Sequence, residues 1–170
     1  LPTESADGER SIVAQLARVA REAAAAAGGA RSVGIGVPGV YDPDGGTISF
    51  VPNVPGRWEG VPVAAPVAAA TGLPSVLVND ARAFGLAELR LGAGRGARSM
   101  VGFTLGTGVG GVVAIDGHVH QGWRGWAGEL GHQTVDPDGP ECRCGNRGCL
   151  EAHARADRLA EACGAPSAEE

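Results

Sequence analysis

The chain has 170 residues, 44% of them apolar, and a net charge of −5. That length holds one domain, or parts of two, with room for a real hydrophobic core, and the charge excludes a basic footprint for nucleic acid or an anionic membrane. All fourteen basic residues are arginine, so no glycine-rich loop here is a P-loop, which needs a lysine after its glycines.

In chain order, the polar and acidic start "LPTESADGER" is unlike a signal peptide, and no run approaches membrane-spanning length, so a cytoplasmic protein is expected. Ile12, Leu16, Val19 and Ala23 fall at helical spacing, and Gly28 ends that helix. "RSVGIGVPGV" is a short β-branched run closed by Pro38-Gly39, which predicts a buried strand and a turn. A second strand is expected over Thr47–Val51, then a helix with Pro62 in its first turn running to Thr71. "PSVLVND" predicts a buried strand that delivers Asn79 and Asp80 at its carboxyl end, and "ARAFGLAELRLG" a helix after it. This order is that of an α/β fold.

"GAGRGAR" at 92–98 breaks the composition and places a domain boundary near Gly94, dividing the chain into residues 1–94 and 95–170. Beyond it, "SMVGFTLGTGVGGVVAIDG" predicts two strands around a glycine turn, followed by a Gly/Trp loop, a cysteine segment and a last helix from Glu151 to Ala162. Strands of two sheets are thus expected to flank a cleft.

The cysteine segment carries the strongest chemical signal. His132, Cys142, Cys144 and Cys149 follow the spacing His-x9-Cys-x-Cys-x4-Cys, and a Cys3His set suits tetrahedral structural zinc. "DPDGP" is turn chemistry able to return His132 to Cys142, and the glycines of "CGNRGC" let the backbone curl tightly. Cys163 lies outside the pattern. Gly106-x-Gly108-x-x-Gly111 matches a dinucleotide fingerprint only on paper, because a strand and not a helix follows it. A strand–turn–strand of this kind either holds phosphate through backbone N–H groups and the Thr107 hydroxyl or is a plain hairpin; both readings stand. Asp80 is either a helix cap or a general base at the carboxyl end of a strand, where α/β ligand sites form. Glu129, His132 and Glu151 are either solvated side chains or hydrogen-bonding partners for the hydroxyls of a sugar.

Taken together, "VGIGVPG", "VPNVPGRWEG", "VLVNDARAFGLAE", "LGTGVGG", "GELGH" and "CRCGNRGCLE" occur in the order found in the ROK family of bacterial sugar kinases and repressors, which the chain resembles over nearly its whole length. The resemblance implies an actin/hexokinase-like, ribonuclease H-like ATPase fold: parts of two α/β lobes around a cleft, with a zinc knuckle at 132–151. It implies Asp80 as catalytic base. Asn79, Glu129, His132 and Glu151 would hold the sugar, with Asn53 and Gly39 lining the same pocket. Gly106, Thr107, Gly108 and Gly110 would face the ATP phosphates, and His132, Cys142, Cys144 and Cys149 would bind zinc. His132 would then serve metal and sugar with its two ring nitrogens.

The activity implied is phosphoryl transfer from ATP, with magnesium, to a hexose, glucose at its 6-hydroxyl being the leading case, in a protein that forms homo-oligomers. The family's Asp-Gly-Gly-Thr phosphate loop does not precede the first strand, and "DGGTIS" at 44–49 lies after it. The chain therefore reads as the middle of a kinase, not expected to turn over by itself. Two rivals stay open: the sugar-sensing domain of a ROK repressor, and a zinc-stabilised remnant without activity.

Overall fold

The computed structural model describes Thr3, residues 8–51 and residues 54–166. Asn53 lies outside the described residues. The chain divides into two compact units, Leu1–Asp80 and Ala81–Glu170.

In the first unit, helix α1 (Glu9–Ala27) turns Val13 into the core, with Ile12, Leu16 and Ala20 packed beside it. Gly28 ends the helix in the left-handed conformation, as its position predicts. Strands β1 (Val33–Val37) and β5 (Ser75–Asn79) pair in parallel, Ile35 beside Leu77 and Val37 beside Asn79. Between them in sequence lie the antiparallel strands β2 (Val40–Asp42), β3 (Thr47–Phe50) and β4 (Val61–Pro62), then helix α2 (Ala64–Thr71). Ile35, Val37, Tyr41, Ile48, Val67 and Leu77 form the centre of the core.

Two expectations need correction here. Pro62 is not in a helix: with Val61 it forms β4 on the edge of β3, a place where a residue without N–H is tolerated, and α2 begins at Ala64. Nor is β5 buried throughout. Its residues alternate, and Val76 is 62% exposed, because among the described residues only one face of the β1–β5 pair carries the core.

Helix α3 (Asp80–Leu91) follows β5 directly. In the second unit it lies on an antiparallel sheet of β6 (Met100–Leu105), β7 (Val109–Ile115) and β8 (His118–Val119). A Cβ on Gly85 would run into the methyl groups of Val112, so helix and sheet are in close contact. This contact assigns nearly all of α3 to the second unit. The glycine-rich break near residue 94 is the turn that closes α3, inside that unit, with Gly94 N–H bonded to the Glu88 carbonyl.

The last expected helix is two helices, α4 (Leu150–Ala154) and α5 (Ala156–Cys163). Arg155 between them is extended, at φ −67° and ψ 157°. The break frees the Ala156 N–H to donate to the Gly106 carbonyl at 2.8 Å, a long-range bond that local sequence does not signal. No helix among the described residues is long and apolar enough to cross a membrane.

Candidate functional site

In the first unit the parallel pairing of β1 and β5 brings their carboxyl ends side by side. Pro38-Gly39 turns the chain after β1, with Gly39 at φ 79°, a conformation that favours glycine. The buried Asn79 side chain donates from Nδ2 to the Gly39 carbonyl at 3.1 Å. This bond fixes the amide at the end of the strand and sets Asp80, exposed and the first residue of α3, beside it in sequence. Gly39, Asn79 and Asp80 therefore share the strand edge where open α/β sheets bind ligands.

In the second unit the glycine turn joins β6 to β7, with Leu105 paired to Val109 and Thr107 exposed at the tip. A hairpin with left-handed glycines is one sequence-level alternative, but none of Gly106, Gly108, Gly110 and Gly111 has a positive φ. Crowding explains three of them instead. A Cβ on Gly108 would meet Glu151 Oε2 at 2.5 Å, one on Gly110 would meet Thr104 Oγ1 at 2.5 Å, and one on Gly111 would meet the Gly128 carbonyl at 2.5 Å. Gly106 is different: nothing lies within 4 Å of its Cβ position, while its N–H donates to the Gly108 carbonyl at 2.9 Å and its carbonyl accepts the Ala156 N–H at 2.8 Å.

The "GELGH" segment is pressed onto the same strand. Leu130–His132 is a 3₁₀ turn closed by the His132 N–H on the Glu129 carbonyl at 3.1 Å, and a Cβ on Gly131 would fall on the Val109 carbonyl. Glu129 is exposed and His132 half-buried. The chain then loops through 133–149 and returns beside His132. The Leu150 N–H bonds the Gln133 carbonyl, and the Cys149 thiol donates to the His132 carbonyl at 3.4 Å.

This return gathers the four residues of the predicted ligand set. The donor atoms of His132, Cys142, Cys144 and Cys149 lie within 4.8 Å of one another. His132 Nδ1 is 3.6 Å from Cys142 Sγ, and Cys144 Sγ is 3.7 Å from Cys149 Sγ. A tetrahedral zinc with sulfur at about 2.3 Å and nitrogen at about 2.1 Å spaces its ligands by roughly 3.6–3.8 Å; the donor set suits it and these two separations match that spacing, while the four donors together span up to 4.8 Å. Nδ1 faces the thiols, which leaves Nε2 as the second ring nitrogen. Among the thiols themselves, burial and then hydrogen bonding to Cys144 and Cys142 push Cys149 up to about 12. The Asn146 backbone N–H draws Cys144 down. A divalent cation among them favours all three thiolates.

Glu151 ties this cluster to the glycine turn. Oε2 accepts the Val109 N–H at 2.9 Å, and Oε1 lies 4.0 Å from Cys142 Sγ. One carboxylate thus touches the end of the hairpin and the edge of the cysteine cluster, across 42 residues of sequence. With the Ala156–Gly106 bond, both sides of the turn are held from the segment that follows Cys149.

Arg82 was absent from the sequence-derived set. It is 1% exposed and donates to the carbonyls of Gly125 and Ala127 and to Gln121 Oε1, all in the Gly/Trp loop. One signal was available: residues 82, 85 and 89 follow the helical period of the buried face, which puts an arginine where an apolar residue belongs.

The ROK family sequence model matches residues 1–168. The chain is 49% identical over 127 residues to the glucokinase of Thermotoga maritima, covering 75% of this chain and 40% of that protein. It is 36% identical over 122 residues to the xylose repressor of Bacillus subtilis, covering 72% and 31%. A solved ROK glucokinase from Streptomyces griseus, in complex with glucose and AMPPNP, superimposes with a TM-score of 0.78 at 37% identity, covering 95% of this chain and 50% of that one. The chain spans less than half the length of the curated relatives it matches.

Proposed function

This chain belongs to the ROK family and has its α/β, actin/hexokinase-like fold, and from that premise we propose that it is the sugar- and metal-binding part of an ATP-dependent hexose kinase acting on glucose at the 6-hydroxyl. The observation that carries this reading is the Glu151 carboxylate, which joins a Cys3His cluster to the glycine turn between β6 and β7. A kinase must hold a polyhydroxyl acceptor against a phosphate donor, and this arrangement couples a sugar-binding segment to a phosphate-binding one.

In this mechanism Asn79, Glu129, His132 through Nε2, and Glu151 hydrogen-bond the sugar, with Gly39 beside Asn79. Asp80 accepts the proton of the 6-hydroxyl as its oxygen attacks the terminal phosphorus of ATP and the bond to the β-phosphate oxygen breaks, releasing ADP. A carboxylate is a weak base, so orientation and charge stabilisation carry most of the acceleration. The backbone at Gly106, Gly108 and Gly110 and the Thr107 hydroxyl face the donor phosphates. Magnesium, when bound with the donor, supplies positive charge against those phosphates. His132 Nδ1, Cys142, Cys144 and Cys149 hold zinc, whose part is to fix the segment that presents His132 and Glu151. We further propose that the two units are portions of the N- and C-terminal lobes, and that these 170 residues do not turn over unaided, since positioning of the donor dominates phosphoryl transfer.

The test is a sugar panel with the full-length parent, supplied with ATP or with polyphosphate, beside the isolated chain. Glucose 6-phosphate formed by the parent with ATP, and none by the isolated chain, is the expected result. The xylose repressor match favours a second reading, a sugar-sensing domain. Sugar binding by the parent without turnover on either donor would decide for it.

A further inference from the structure

We infer that Arg82 is a positioning residue that holds the Gly/Trp loop, residues 121–128, and through it the orientation of Glu129; the inference rests on the reading that Glu129 binds the sugar. Local bonds close the loop but do not pack it: the Trp126 N–H donates to the Trp123 carbonyl at 3.1 Å and the Ala127 N–H to the Gln121 carbonyl at 3.0 Å, and Arg124 lies over the Trp123 ring at 4.7 Å from its centroid. The loop's two largest side chains face solvent, Trp123 at 75% exposure and Trp126 at 53%, so burial of aromatic area does not hold it. Its backbone is also unfavourable: Arg124 sits at φ 49°, a left-handed conformation that a non-glycine residue keeps only when its surroundings impose it.

What grips the loop from inside is one guanidinium. Arg82 Nε donates to the Ala127 carbonyl at 3.1 Å, Nη2 to the Gly125 and Ala127 carbonyls, and Nη1 to Gln121 Oε1 at 3.4 Å. These acceptors come from both ends and the middle of the loop. The planar fork of arginine can satisfy them together, which the single ammonium of lysine cannot. Burying a charge is costly unless its donors are satisfied, so an arginine here is explained by the carbonyls it organises. Past the loop, Gly128 lies at φ 90° with its Cβ position 3.7 Å from Arg82 Nε and 2.8 Å from the Gly111 carbonyl, so the chain runs between Arg82 and β7 with no room for a side chain. Glu129 is the next residue, and its direction is set where that passage ends.

The experiment uses the full-length parent with Arg82→Met, which keeps length and removes every donor, and Arg82→Lys, which keeps the charge. For Arg82→Met, exchange of the Ala127 amide, bonded at 3.0 Å to the Gln121 carbonyl, should speed up at least tenfold, and quenching of the loop tryptophans should rise. The KM for sugar should rise about 10- to 100-fold while the KM for ATP and kcat stay within about threefold, with Arg82→Lys in between. A general loss of structure would instead lower apparent kcat with both KM values unchanged. Wild-type loop exchange and sugar KM in folded Arg82→Met overturn the inference; if that variant does not fold, the same result in Arg82→Lys overturns it. Should the wild-type parent bind no sugar at all, the kinase reading fails, and the exchange of the Ala127 amide alone decides whether Arg82 holds the loop.

Discussion

With zinc in the Cys3His cluster, as proposed, its removal should unfold the 133–149 knuckle while leaving the first unit intact. The buried cluster of this region is only Cys142, Cys149 and Ala152, two of which are ligands. Their apolar burial contributes at most about 4 kcal/mol. Six backbone bonds within the knuckle, from the N–H groups of Val135, Asp136, Gly139, Cys142, Gly145 and Gly148, add about 1 kcal/mol each. Against this, ordering the 17 residues from 133 to 149 costs roughly 1 kcal/mol apiece. Without a metal the knuckle is short by about 7 kcal/mol. A structural zinc, worth about 10 kcal/mol or more, reverses that and leaves it folded by about 3 kcal/mol. Elemental analysis of the purified chain should therefore find one zinc per molecule. On chelation, hydrogen exchange at the amides of Val135, Cys142 and Gly148 should accelerate at least about 100-fold, the factor that 3 kcal/mol corresponds to, while Ile35 and Leu77 in the first core keep their protection. Cys144→Ser should reproduce the chelated pattern. Absence of stoichiometric metal together with fully protected knuckle amides would refute the reasoning, since these side chains would then be ordering the segment unaided.

In the full-length parent, Asp80→Asn keeps the shape and the start of α3 but cannot take a proton; turnover should fall by about 10²–10⁴-fold with sugar affinity by calorimetry nearly unchanged, and normal turnover would remove Asp80 from the mechanism. Glu151→Ala leaves the buried Val109 N–H without the acceptor it has at 2.9 Å, a loss of about 1–3 kcal/mol; the KM for ATP should rise along with that for sugar, and a rise for sugar alone would show that the glycine turn does not depend on it. Gly148→Ala puts a Cβ on the Asp136 carbonyl at a residue with φ 65°; zinc retention in a competition titration should drop at least tenfold, and an unchanged titration would show that the knuckle can open to accept the methyl group.

Much of this protein is written locally in its sequence. The period of α1, the Gly28 stop, the hairpin around residues 106–108 and the turn-rich spacing of the ligand set each depend on residues a few positions apart. Backbone preference and side-chain chemistry over such distances are properties of the sequence itself. His132, Cys142, Cys144 and Cys149 come together in the fold, their donor atoms within 4.8 Å of one another, across a segment whose "DPDGP" and glycines are turn chemistry. Other features were decided by contacts between distant segments. The crowding at Gly108 comes from the Glu151 carboxylate, and that at Gly111 from Gly128 and Leu130. The Ala156 N–H, freed by the interruption at Arg155, finds its acceptor at Gly106, and Pro62 is a strand residue because β3 offers it an edge. Arg82 reaches acceptors 39 to 45 residues away, and the contact of Gly85 with Val112 puts α3 with the second unit. In each case the partner, and not the residue's own preference, sets the outcome, and only the folded chain brings that partner near.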